Sequence, residues 1–89
     1  MKAVITVTGK DTVGIIASVS AVCAEYGANI VDITQSVLGE YFAMIMLVEI
    51  AGLKTTFASF ADMLSDLGKD RALQIHTMHE DIFNTMHHV

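Results

Sequence analysis

The fold is decided at Thr8-Gly9-Lys10-Asp11-Thr12-Val13-Gly14-Ile15-Ile16, where an alternating strand meets an amphipathic helix. In residues 2–8 the side chains alternate with period two, which predicts a strand. Residues 13–26 carry apolar side chains at helical spacing and predict a helix, with Gly27 placed as its left-handed C-cap residue. The stretch is therefore a strand-to-helix corner.

Two glycines and a carboxylate shape this corner. Gly9 allows unusual torsions where the chain leaves the strand. Asp11 or Thr12 can cap the helix by accepting hydrogen bonds from its free N–H groups. Gly14 is expected in the first helical turn, where glycine costs about 0.5–1 kcal/mol relative to alanine. That cost is offset either by tight packing of the helix on the sheet or by an anionic group, such as an amino acid's carboxylate, approaching the helix N-terminus.

The composition predicts one small domain, residues 1–89, with an excess of apolar side chains. Hydrophobic residues make up 53% of the chain, and it contains no proline or tryptophan. This is more apolar material than one small core needs, so we expect a partner surface that is hidden from solvent. A homodimer is the simplest form of such a surface.

Charge and cysteine content exclude several classes of protein. The net charge of −5 at pH 7 argues against nucleic-acid binding and against anionic membranes. The lone Cys23 cannot form an internal disulfide, which fits a reducing compartment. No signal peptide is visible, and the longest apolar run, residues 41–50 with Glu49 as its one exception, is about half the roughly 20 residues that a membrane helix needs. A cytoplasmic protein is predicted.

Further strands and helices follow the corner. We expect Val31, Ile33 and Val37 to share one face of the second strand, and Asn29 to bond either loop backbone or a ligand. Gly68 is expected as the C-cap of the second helix. The remaining predicted elements are a strand over 29–38, a hairpin turn at Gly39-Glu40, a strand over 41–51, a helix over 53–67, a strand over 71–78 and a C-terminal amphipathic helix or tail over 79–89.

This order of elements, with right-handed crossovers, predicts an α+β fold. It is a ferredoxin-like βαββαβ sandwich, with a four-stranded antiparallel sheet, two helices on one face and a short C-terminal helix. The face without helices carries Val4 and one apolar row of the third strand. A patch of this kind marks an interface, so we expect a homodimer that either buries this face or joins edge strands.

Three stretches resemble the ACT domain, a family of small ligand-binding regulatory modules of amino-acid metabolism. They are the corner from Gly9 to Ala17, the helix end Ala24-Glu25-Tyr26-Gly27 and the strand start Asn29-Ile30-Val31-Asp32-Ile33. Together they match the pattern D-x-x-G … G-x-N-I. The chain length and the ending from His79 to His87 resemble the small stand-alone bacterial members of this family, the UPF0237 group.

The resemblance implies a ligand site, as well as the βαββαβ fold already reached. In the family, ligands, which are often amino acids, bind at interfaces between domains. By position, one wall of the site would consist of Asp11, Thr12, Val13 and Gly14. The second wall, on a neighbouring domain, would consist of Asn29, Ile30 and Val31. The backbone N–H groups near Gly14 would receive a carboxylate, and Asp11 with the Asn29 amide would hold an ammonium group.

Two other functions remain open from the sequence. One is a protein–protein adaptor that binds an unidentified protein and keeps only a vestigial pocket. The other is a metal-binding protein, because zinc and nickel favour imidazole ligands. Its candidate ligands lie in the tail, with a solvated polar tail as the favoured interpretation: His76, His79, Glu80, Asp81, His87 and His88.

No enzyme activity is predicted. Small phosphatases with this arrangement of elements need an arginine-lined anion loop, whereas the only arginine, Arg71, lies far along the chain. No Ser-His-Asp or Cys-His combination has the spacing of a catalytic site. We therefore assign no catalytic residue, no metal ligand and no cofactor.

Overall fold

A computed structural model of the protein describes residues 1–10 and 13–86. The expectations for Asp11, Thr12, His87, His88 and Val89 lie outside the described residues. The elements are β1 (Lys2–Gly9), α1 (Ile15–Tyr26), β2 (Asn29–Leu38), β3 (Tyr41–Glu49), α2 (Phe57–Lys69), β4 (Gln74–His79) and α3 (Glu80–Met86).

The four strands form one antiparallel sheet in the order β2-β3-β1-β4. β1 and β3 are the middle pair, as the apolar character of both their faces predicts. The predicted ferredoxin-like βαββαβ fold with a short C-terminal helix is therefore confirmed.

The main core lies between the sheet and the two long helices. Side chains from alternate positions of the middle strands meet the apolar stripes of α1 and α2. Burial in this core raises the pKa of the Cys23 thiol to about 11, so the thiol is inert at neutral pH. The buried side chains of the main core include Ala3, Ile5, Val7, Ile15, Val19, Cys23, Met44, Met46, Val48, Phe60 and Leu64.

The prediction that Val31 shares the apolar face of β2 with Ile33 and Val37 is wrong. A β-bulge lies between Ile30 and Asp32, which pair with Val48 and Leu47 of β3. The extra residue is Val31, whose exposed fraction is 49%, whereas Ile30 is partly buried against the core. A bulge inserts one residue and shifts the alternation by one position, and simple period-two counting cannot detect it.

The second helix begins and ends later than predicted. It starts at Phe57, after Thr56, whose side chain accepts a hydrogen bond from the backbone N–H of Ser59 (3.1 Å). Gly68 is a buried residue inside the helix, and the C-cap is Asp70. A Cβ at Gly68 would lie 2.8 Å from the backbone O of Leu73, so this glycine allows the helix to approach the chain that enters β4.

The opposite face of the sheet is only partly covered. Val4 points away from the main core, yet its exposed fraction is 3%. The helix α3 contacts both β1 and β4, the strand of Val4 and its neighbour. Ile45 on β3 and Ile82 and Met86 on α3 stay exposed. The predicted apolar patch therefore exists, reduced at its β1 end by the protein's own C-terminal helix.

Candidate functional site

Helix α1 begins one residue after a glycine in the left-handed conformation. Gly14 is the N-cap residue, with φ 71° and ψ 7°, and not part of the first helical turn as predicted. Its carbonyl accepts the first hydrogen bond of the helix, from the N–H of Ser18 (2.9 Å). The N–H groups before Ser18 have no acceptor within the helix, as at every helix N-terminus.

The left-handed backbone explains why position 14 is a glycine. Tight packing is not the reason, because among the described residues a Cβ there would meet only the Arg71 Nη1 atom, at 3.8 Å. Side chains disfavour this conformation because Cβ crowds the backbone, whereas glycine adopts it freely. Gly14 thus sets the direction in which the chain enters α1.

Arg71 is the residue that the sequence analysis missed. It lies in the turn between α2 and β4, and its guanidinium reaches the start of α1. Nη1 donates to the backbone O of Val13 (2.7 Å), and Nη2 donates to Oγ of Ser18 (3.1 Å). Ser18 is thus a partly buried acceptor. A cation accompanies the helix N-terminus although 58 positions separate Arg71 from Val13.

The contact between Arg71 and the start of α1 could have been predicted from the strand order. β4 is antiparallel to β1, so the chain enters β4 beside the end of β1, where Thr8 pairs with Gln74. The α1 helix starts just beyond the end of β1, and Arg71 lies just before β4. The single arginine of the chain could therefore have been placed at this edge once the strand order was assumed.

The two walls expected from the resemblance do not meet within one chain. Val13 and Gly14 lie before α1, whereas Asn29, Ile30 and Val31 follow it. The 12 residues of α1 separate them by about 18 Å. Val13, Gly14, Asn29 and Val31 are exposed, and Ile30 is partly buried. A site that uses both walls needs a second copy of the chain.

In the described part of the chain, cavities also lie outside these walls. One, of about 520 Å³, is lined by Met1, Lys2, His79, Glu80, Asp81 and Ile82. Another, of about 270 Å³ and mainly apolar, is lined by Thr8, Gly9, Ser36, Tyr41, Phe42 and Ala43. Beside it, Nζ of Lys10 lies 3.1 Å from Oε1 of Glu40 and 5.1 Å from the centre of the Tyr41 ring.

The histidines of β4 are not arranged as metal ligands. His76 pairs with Thr6 and lies on the face away from the main core, whereas His79 stacks on Phe57 of α2. Residues three apart in a strand point to opposite faces, so these two imidazoles cannot share one ion. Within residues 1–10 and 13–86, no group of three or more His, Cys, Asp or Glu side chains could hold a metal ion.

No helix in the described part of the chain is long and apolar enough to cross a membrane.

Comparisons with known proteins agree with this geometry. The sequence profile described as the ACT domain matches residues 2–78. A UPF0237 protein of Methanocaldococcus jannaschii is 43% identical over 88 residues, which cover 99% of this chain and 98% of that protein. The solved structure of an ACT domain protein from Streptococcus pneumoniae shares 42% identity, with a TM-score of 0.79 and 93% of each chain covered.

A solved structure with lower identity also matches this chain. It is a putative glycine cleavage system transcriptional repressor, with 25% identity and a TM-score of 0.67; the match covers 85% of this chain and 43% of that one. The full-length relatives and the profile match are decisive for classification. This chain belongs to the ACT domain family, within its UPF0237 group.

Proposed function

We propose that this protein is a non-catalytic regulatory module, a single cytoplasmic domain that binds an amino acid as a homodimer. The observation that supports the proposal is the arrangement of residues at the start of α1. There, an exposed left-handed Gly14 opens the helix N-terminus, and the Arg71 guanidinium lies beside it. The wall expected from Asp11, Thr12, Val13 and Gly14 is the part of the site that this arrangement supports.

The electrostatics of this end of α1 favour an anion. A helix N-terminus carries roughly half a positive charge, and α1 has no acidic residue in its first turn. The guanidinium of Arg71 adds a full positive charge to the same place. Two like potentials that converge are unfavourable for the empty protein, and a bound carboxylate would reverse the sign of the interaction.

The second wall comes from a partner copy in this proposal. Asn29, Ile30 and Val31 open β2, an edge strand of the sheet whose outer side has no neighbouring strand in the described residues. The Asn29 side chain is exposed and can accept a hydrogen bond from an ammonium group through its carbonyl oxygen. An amino acid would then join the α1 start of one chain to the β2 start of the other.

Thermal denaturation with a panel of free amino acids tests the binding. A ligand present at ~100 times its Kd should add about 2.7 kcal/mol to the free energy of unfolding. Asn29→Ala should abolish the response, whereas Gln35→Ala, farther along the same exposed strand, should keep it. If no amino acid moves the transition of the wild-type protein, amino-acid binding is disproved.

Sedimentation at micromolar protein concentration tests the homodimer. A single, well-folded chain at every concentration, with and without amino acid, would contradict a shared site. Surfaces for pairing in the described structure include the partly open sheet face with Ile45 and the two edge strands, β2 and β4.

An alternative function is a protein–protein adaptor with a vestigial pocket. The exposed apolar side chains of Ile45, Ile82 and Met86 favour it, because such groups suit a protein interface. An adaptor would show no amino-acid effect and would instead form a stable complex with a different protein. Co-purification of that complex, followed by reconstitution from its two purified components, separates this function from the first.

A further inference from the structure

We propose that Arg71 is a positioning residue, which holds the start of α1 in the conformation that receives the ligand and ties it to the α2–β4 turn. That Arg71 positions α1 for a ligand rests on the proposed function. Its hydrogen bonds to α1 do not depend on that function, because they form in the protein without ligand.

The two donors of Arg71 bind on both sides of Gly14. Nη1 contacts the carbonyl oxygen of Val13, which precedes the glycine, and Nη2 contacts the hydroxyl of Ser18, one turn into α1. Hydrogen bonds from a charged guanidinium are stronger than neutral ones, and its planar fork fixes the separation of the two acceptors. The entry angle of the chain into the helix is thereby set by a side chain from another element.

The start of α1 has no local cap from its own N-cap residue. Gly14 has no side chain, so it cannot accept hydrogen bonds from the helix N–H groups. Helix α2 shows the ordinary arrangement, in which the hydroxyl of Thr56 accepts from the N–H of Ser59. Among the described residues, Arg71 supplies side-chain hydrogen bonds at this end of α1 where its glycine N-cap supplies none.

Arg71 is itself held by its turn. Its backbone N–H donates to the carbonyl oxygen of Gly68 (3.0 Å), and the N–H of Leu73 donates to the same oxygen (2.8 Å). Between them, Ala72 has φ 54°, a conformation that persists in a non-glycine residue only when its surroundings enforce it. A change in this turn would therefore move the guanidinium, and with it the start of α1.

Amide hydrogen exchange followed by NMR tests this role in the variants Arg71→Lys and Arg71→Met. The probe is the N–H of Ser18, which makes the first hydrogen bond of α1, and the reference is the N–H of Met46 in the central strand β3. We expect the Ser18 amide to exchange roughly tenfold faster relative to Met46 in both variants, since hydrogen bonds from a charged group are lost. Lysine should not rescue, because one ammonium cannot span both acceptors.

A matched control and a separate ligand measurement keep the two proposals distinguishable. Lys2→Met removes an exposed positive charge at the start of β1, away from the α2–β4 turn, and should leave the ratio of the Ser18 and Met46 exchange rates unchanged. Wild-type exchange at Ser18 in Arg71→Met, or full rescue by lysine, would refute the positioning role. If the exchange changes as expected and no amino acid stabilises the wild type, Arg71 still positions α1 and the proposed function fails.

Discussion

The imidazole of His79 stacks on the ring of Phe57, with ring centres 4.1 Å apart and planes inclined by 19°. This contact joins the last residue of β4 to the first residue of α2, on the helix-covered face of the sheet. A double-mutant cycle with Phe57→Leu and His79→Ala should give a coupling energy of about 0.5–1.5 kcal/mol. Urea denaturation of the four proteins measures it, and additive single effects would show that the stacking contributes nothing.

Thr77→Val should raise the free energy of unfolding by about 1 kcal/mol. The hydroxyl Oγ1 of Thr77 is buried and has no hydrogen-bond partner among the described residues. Valine has the same shape without the polar atom. The control Thr34→Val alters an exposed position of β2 and should change stability by less than about 0.5 kcal/mol. A destabilised Thr77→Val variant would mean that the hydroxyl does find a partner.

Gly68→Ala should destabilise the protein by about 1–3 kcal/mol, against the usual preference of helices for alanine. The added Cβ would meet the carbonyl oxygen of Leu73 at 2.8 Å and Cγ1 of Ile75 at 2.9 Å. Ser65→Ala, on the same helix, is the matched control and should be close to neutral. Thermal denaturation that shows Gly68→Ala to be more stable than the wild type would refute the close approach.

Gly14→Ala should cost about 1–2 kcal/mol, because a residue with a Cβ is forced into the left-handed region at φ 71°. Gly14→Asn should cost less, since asparagine tolerates this conformation better than other residues with side chains. The melting temperature should be highest for the wild type, lower for Gly14→Asn and lowest for Gly14→Ala. Equal stability of all three proteins would mean that α1 starts with another backbone conformation.

The pH dependence of stability should include a contribution from Glu49. Its Oε1 lies 2.8 Å from the N-terminal ammonium and accepts from the N–H of Ala51 (3.1 Å). The hydrogen bond from the ammonium lowers the pKa of Glu49 below its ordinary value of 4.5. The folded state binds its proton less readily than the unfolded state, so this stabilisation is present at neutral pH and is lost as the pH falls below about 4.5.

Glu49→Gln checks that contribution. The variant should be less stable than the wild type at pH 7, and the two should converge under acid conditions. Glu25→Gln removes an exposed carboxylate of α1 and serves as the control, with no comparable change in the pH profile. A Glu49→Gln profile that runs parallel to the wild type across the whole range would contradict the ion pair.

The elements that depend on local periodicity were predictable from the sequence. The alternation in β1 and β3 and the apolar stripes of α1 and α2 place the right side chains in the core. Features that depend on residues distant in the sequence were not predictable. Gly68 resembles a C-cap glycine in the sequence, but the proximity of Leu73 makes it a packing residue.

In the candidate site, too, the residue marked by local sequence was predicted and the residue that depends on distant contacts was not. Gly14 was found because a glycine inside the first helical turn, where it was expected, would weaken the helix, although the structure places it at the N-cap. Arg71 was missed because its partners, Val13 and Ser18, are more than 50 positions away along the chain. The bulge at Val31 also escaped prediction, since no residue type marks an inserted position in β2.

The length of α1 has one more consequence. Its 12 residues keep Gly14 and Asn29 apart, so under the proposed function each protein molecule would carry two unlike half-sites. A twofold-symmetric pair would then assemble two identical clefts, and each bound amino acid would bridge both subunits. Ligand affinity would rise with protein concentration, and the ligand would tighten the pairing in equal measure. The protein would in this way report a metabolite level as a change in its own state of association.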